Sequence, residues 1–81
     1  VLFRAVDKLI LSRKIGERVV DIRKEKRMSQ RDLAFACGKD PQSIERVENG
    51  KSCPTVWYLF ELSQVLEVSL SEFFDEGKLN L

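Results

Sequence analysis

The chain has no histidine, two cysteines, two prolines and four glycines among its 81 residues. Each scarcity excludes something. With no imidazole and only the thiols Cys37 and Cys53, the usual cysteine–histidine zinc sets are missing, so no metal is expected. Two cysteines are also too few for a disulfide framework, and a reducing, cytoplasmic setting is the expectation. No apolar run approaches the ~20 residues of a membrane span, and no secretory signal pattern is seen. There is no phosphate-cradling glycine loop and no nucleophile paired with a base. The expectation is therefore no enzyme, no cofactor, no small-molecule ligand and no membrane.

What is present describes one globular domain. Hydrophobic residues make up 43% and charged residues 33%, the balance of a soluble folded protein. A core of this size supplies only about 3–5 kcal/mol of net stability, so a dimer interface would add usefully to it. The net charge of +1 hides a division: residues 1–53 carry +5 and residues 54–81 carry −4. Such asymmetry suggests a basic face toward a polyanion and an acidic end turned away.

Periodicity predicts helices throughout. Leu11, Ile15, Val19 and Ile22 form one apolar stripe, which predicts a helix from about residue 3 to Arg27. Gly16 leaves its boundary open, and residues 1–12 either extend it or form a separate arm. Ser29 as cap with Asp32 three residues on predicts a capping box for a second helix. Leu33, Ala34 and Cys37 face inward there, and Gly38 supplies a positive-φ stop. Asp40 as cap and Pro41 as first residue start a third helix that ends at Asn49-Gly50. Thr55 caps a fourth, with Val56, Leu59, Leu62 and Leu66 as its buried stripe. Ser69 and Glu72 predict a second capping box, for a fifth helix carrying Leu70, Phe73 and Phe74. Residues 75–81 read as a frayed tail.

Gln30–Asn49 carries the functional signal. A small residue (Ala34), a turn glycine (Gly38) and inward aliphatics (Ile44, Val47) follow in that order. A helix-turn-helix with its steep crossing needs this order, although an ordinary helical hairpin fits the spacing too. With Ile44 and Val47 inward, the opposite face of the third helix carries Gln42, Glu45, Arg46 and Asn49. An amide such as Gln42 pairs at two points with adenine, and an arginine such as Arg46 does so with guanine. Glu45 can accept from a cytosine amino group. The free N–H groups of the second helix's first turn, near Gln30, suit a phosphate. Lys39 and Lys51 flank the third helix as phosphate contacts, and Arg31 adds another.

The segments SQRDLAFACG, QSIERVENGK and CPTVWYLFELSQVLEVSLSEFF resemble the Cro/CI-type (XRE-like) helix-turn-helix family, which includes lambdoid phage repressors and restriction-modification controllers. The shared features are Ser29-Gln30, Leu33-Ala34, Gly38, Ile44, Glu48 and Gly50 in register, then a proline and an L-x-x-L helix. The resemblance implies an all-α, five-helix, lambda-repressor-like fold over residues 15–74. Residues 1–14 would be an N-terminal extension or the start of helix 1, and 75–81 a C-terminal tail. It implies that the third helix enters the major groove and that Gln42 and Arg46, with Ser43 and Glu45 beside them, face bases. Gln30 matches a position that contacts the DNA backbone and steadies a neighbouring recognition residue, and Asn49 joins the phosphate contacts. Arg23 and Glu48 match a partly buried ion pair between the first and third helices.

The function expected is that of a transcription regulator, a repressor or autoregulator, binding a palindromic operator in double-stranded DNA as a homodimer. The dimer is expected to meet through Phe74, Leu79 and Leu81, with an arm at Leu2, Phe3 and Val6 as the other possibility. The competing function is a helical adaptor that uses the same fold to hold a protein partner. Trp57, Tyr58 and Phe60 are expected in core or subunit packing, Cys37 buried and inert, and Cys53 exposed in a loop.

Overall fold

The stripe of Leu11, Ile15, Val19 and Ile22 organises the first helix. Ile15, Val19 and Ile22 are withdrawn from solvent, and Leu11 packs half-buried at the edge of the core. The computed structural model describes residues 8–79, and this helix, α1, spans Lys8–Glu25. The expected start near residue 3, and the arm at Leu2, Phe3 and Val6, lie outside the described residues. The helix passes through Gly16 without a break, because glycine answers a contact there rather than a bend. A Cβ at Gly16 would collide with the carbonyl oxygens of Val47 and Glu48. α1 ends at Glu25 rather than Arg27. Arg27 takes a left-handed φ of 59°, and the Met28 N–H donates back to the Arg23 carbonyl, which closes the helix as a Schellman-type turn.

The next three helices follow from their caps. α2 spans Gln30–Cys37. The Ser29 hydroxyl accepts from the Asp32 N–H at 3.0 Å, and the Asp32 carboxylate accepts from the Ser29 N–H at 3.0 Å. Gly38 ends the helix at a φ of 67°, where its N–H reaches the Phe35 carbonyl. α3 spans Pro41–Glu48, with the Asp40 carboxylate accepting from the Gln42 N–H at 2.9 Å. α4 spans Val56–Leu66, with the Thr55 hydroxyl accepting from the Tyr58 N–H at 3.0 Å. Val56 departs from its expected burial: it is 65% exposed. It is the first residue after the cap, and the first turn of α4 projects past the core that Leu59, Leu62 and Leu66 fill.

The C-terminal region differs most from expectation. Leu70–Phe73 is a single 3-10 turn, and α5 spans Glu76–Leu79. The Ser69 hydroxyl accepts from the Ser71 N–H, so the expected Ser69–Glu72 capping box does not form. The Glu72 carboxylate is drawn instead to Lys78 at 3.2 Å and Arg18 at 3.6 Å. The Arg18 Nε also donates to the Glu72 carbonyl at 3.1 Å. This link ties the tail to α1, and Leu79 enters the core at 3% exposure. The region expected to fray is therefore packed through Leu79.

These elements enclose one apolar cluster. α3 rests against α1 and α2, α4 packs on α2, and the 3-10 turn and α5 close against α1. Phe73, Leu59, Leu62 and Leu66 reach the cluster from the C-terminal half, and Leu33, Ala34, Ile44 and Val47 from the helix pair. The described residues are all-helical with no strand.

Candidate nucleic-acid interface

α3 has two unlike faces. Ile44, Val47 and Glu48 are buried, whereas Gln42, Glu45, Arg46 and Asn49 are exposed. The exposed four lie three, four and seven positions apart, so they share one side of the helix. Pro41 at the head adds no donor, and the Asp40 carboxylate is occupied by the Gln42 N–H.

The buried face is fixed by charge as well as by packing. The Arg23 Nε donates to Glu48 Oε2 at 2.6 Å and its Nη2 to Glu48 Oε1 at 3.0 Å. Its Nη1 donates to the Met28 carbonyl at 2.8 Å. Gln30 Nε2 adds a third donor to the carboxylate, 2.8 Å from Oε1. α1, the start of α2 and the end of α3 thus converge on one carboxylate. Such a fork-to-fork pair fixes orientation as well as distance.

Around this core the remaining expected contact residues separate. Arg31 and Lys51 are exposed, and Gln30 is half-buried through its bond to Glu48. Lys51 shares a cleft of about 360 Å³ with Lys8, Leu9, Ser12, Gly50 and Cys53. Lys8 is a cation that the sequence reading did not single out, because only the packing of α1 brings it beside the loop after α3.

Lys39 does not present a free ammonium. Its Nζ lies 2.8 Å from Glu61 Oε1 and 4.3 Å from the centre of the Tyr58 ring. Attraction to a carboxylate and an aromatic face holds it against α4. Ser43, expected beside the base readers, is half-buried, and its hydroxyl lies 2.9 Å from the Tyr58 hydroxyl. Both residues therefore turn toward Tyr58. Burial pushes the Tyr58 phenol above its ordinary pKa, so it is protonated at neutral pH.

The expected dimer residues also separate. Phe74 is 41% exposed, Leu79 is buried in the core of the single chain at 3% exposure, and Leu81 lies outside the described residues. Trp57 and Phe60 stack on each other with ring centres 5.6 Å apart, largely outside the core. Cys37 is half-buried rather than fully buried, and burial pushes its thiol up, away from the reactive thiolate. Cys53 is exposed.

Comparison with known proteins gives this geometry a family. The helix-turn-helix family HTH_3 matches residues 20–73. The chain is 38% identical over 61 residues to the HTH-type transcriptional regulator PuuR of Escherichia coli, covering 75% of this chain and 33% of that protein. It is 34% identical over 55 residues to the uncharacterized HTH-type transcriptional regulator y4dJ of Sinorhizobium fredii, covering 68% of this chain and 71% of that one. Its fold is similar to the restriction-modification controller protein C.AhdI from Aeromonas hydrophila, with a TM-score of 0.75 and 30% identity. That match covers 78% of this chain and 96% of the controller. An HTH_3 family transcriptional regulator from Vibrio cholerae matches with a TM-score of 0.81 and 26% identity, covering 91% of this chain and 42% of that one. The chain thus spans about a third of PuuR but nearly all of the controller. With α2 and α3 at the centre of the matched span, the chain belongs to the helix-turn-helix family HTH_3.

Proposed function

We propose that this chain binds double-stranded DNA sequence-specifically, with α3 in the major groove. It acts as a transcription regulator, a repressor or autoregulator, on a palindromic operator in the cytoplasm. The observation that carries the reading is the division of α3. Its buried side is locked by Ile44, Val47 and the Arg23–Glu48–Gln30 cluster, and its open side holds Gln42, Glu45, Arg46 and Asn49. A helix held this firmly from behind, with an amide and a guanidinium pointing away, is suited to reading base edges. PuuR and y4dJ are by name transcriptional regulators, which supports the same role here.

In this reading Arg46 pairs with guanine, Gln42 with adenine, and Glu45 accepts from cytosine. Arg31, Lys51, Asn49, Lys8 and the first turn of α2 at Gln30 meet phosphates, which set register and most of the salt dependence. One recognition helix reads only a few base pairs. Two copies related by a two-fold axis place their helices about 34 Å apart and read a palindrome. Phe74 remains the exposed C-terminal aromatic for that interface.

Selection of bound sites from random duplex DNA tests the proposal. A symmetric site should emerge. Arg46→Ala and Gln42→Ala should each lose about 1–3 kcal/mol at that site and relax one position. Lys51→Ala should weaken all sequences alike and flatten the salt slope by about one unit. Failure of the wild type to enrich any sequence would reject the reading, as would a Gln42→Ala, Arg46→Ala double variant with full discrimination.

A further inference from the structure

The recognition helix is held unevenly. Its buried residues, Ile44, Val47 and Glu48, lie in its middle and C-terminal turns. In the first turn Pro41 and Gln42 are exposed and Ser43 is half-buried. Beyond the Asp40 cap, the side-chain bond that steadies this turn is the 2.9 Å contact between the Ser43 and Tyr58 hydroxyls. Tyr58 belongs to α4, whereas the buried face of α3 packs on α1 and α2. The phenol therefore reaches α3 from a third direction.

Tyr58 is itself braced. The Lys39 ammonium sits 4.3 Å over its ring, and Glu61 holds that ammonium at 2.8 Å. A phenolic oxygen lies on the long axis of its ring, so a braced ring leaves the hydroxyl little freedom to move. From this arrangement we infer that Tyr58 is a positioning residue for DNA reading, holding the first turn of α3 through Ser43 so that Gln42 meets its base pair in register. The inference rests on the proposed DNA-binding function and assigns a specificity role to a residue outside the DNA-facing surface.

The physical argument concerns tolerance. Two simultaneous hydrogen bonds to adenine require the Gln42 amide to sit within about 0.5 Å of its productive position. Phosphate contacts by long lysine and arginine side chains tolerate much more. Loosening the first turn should thus erode base discrimination while leaving the electrostatic part of binding intact. A tyrosine that only filled space would behave otherwise, because phenylalanine fills the same space.

The test uses the full chain and the site that the wild type selects. The pair read by Gln42 is the one whose preference Gln42→Ala relaxes. Tyr58→Phe keeps the ring and the Lys39 contact and removes only the hydroxyl. Discrimination at the Gln42 pair should fall about 5- to 10-fold, the effect of losing one hydrogen bond of ordinary strength. Discrimination at the Arg46 pair and affinity for generic duplex at low salt should change less than about twofold on the same grounds. Ser43→Ala should reproduce the pattern, and the double variant should add nothing further, since both substitutions remove one bond. Should Tyr58→Phe fail to fold, Ser43→Ala carries the same comparison. Full discrimination at the Gln42 pair in a folded Tyr58→Phe or Ser43→Ala protein overturns the inference, and so does an equal loss on operator and generic DNA. A wild type that selects no site overturns the DNA-binding function and the inference together, whereas a selective wild type with an equally selective Tyr58→Phe overturns the inference alone.

Discussion

Glu48 places a carboxylate where its side chain is 2% exposed, and three donor nitrogens converge on it there. Arg23 supplies two nitrogens to it, Gln30 a third, and Arg23 is held in turn by the Met28 carbonyl. A buried pair of this kind fixes orientation more surely than it adds stability, but breaking it strands a charge. Glu48→Ala should therefore destabilise the fold by about 3–5 kcal/mol. Glu45→Ala, on the exposed face, should stay within roughly 0.5 kcal/mol of wild type. Urea denaturation of the two variants decides the point, and equal midpoints would show that the pair is not structural. Lys39 carries the opposite lesson. From its place beside the third helix it is expected as a phosphate contact, and a carboxylate and an aromatic ring on α4 claim it instead.

Among the elements, the starts of α2, α3 and α4 were legible because caps are local. Ser29 with Asp32, Asp40 with Pro41, and Thr55 each satisfy free N–H groups within three residues. The α2 box also predicts a pH effect. The Ser29 N–H and hydroxyl hold the Asp32 carboxyl below the ordinary aspartate range. Its folded pKa is therefore lower than its unfolded one, and its contribution is present above the unfolded value and lost as pH falls through the folded one. The stability difference between wild type and Asp32→Ala should shrink as pH drops from about 5 to below the usual value of roughly 3.9. Denaturation midpoints across that range test this, and a constant difference would remove Asp32 charge from the cap. What was not legible depended on distant partners. Glu72 looked like a capping residue until Arg18 and Lys78 drew it away. Val56 fitted the apolar spacing of α4, but spacing does not say where the core ends. The Arg23–Glu48 link came from resemblance to a family, and Tyr58 as a brace had no signal in the sequence.

At the scale of the whole molecule, the two described residues of the expected C-terminal interface divide: one is buried within the single chain and one is left outside. Leu79 is 3% exposed and Phe74 is 41% exposed. Leu79→Ala should cost about 2–5 kcal/mol of stability, as truncation of a core leucine does. Phe74→Glu should leave a folded protein that sediments as a monomer, binds a half-site weakly and loses cooperative operator binding. A Phe74→Glu protein that still sediments as a dimer would move the interface elsewhere on the surface. The close approach at Gly16 reaches further than stability. There the backbone of α1 lies directly on the carbonyls that end α3, with no side chain between them to yield. The C-terminal end of α3 is therefore held closely against α1, and in the proposed reading a mismatch there with a bound duplex is taken up by bending or twisting of the DNA. If the chain reads a palindrome as proposed, flexible steps such as TA between its half-sites should raise affinity over stiff A-tracts at base pairs the protein never touches, an effect read by exchanging only those central pairs.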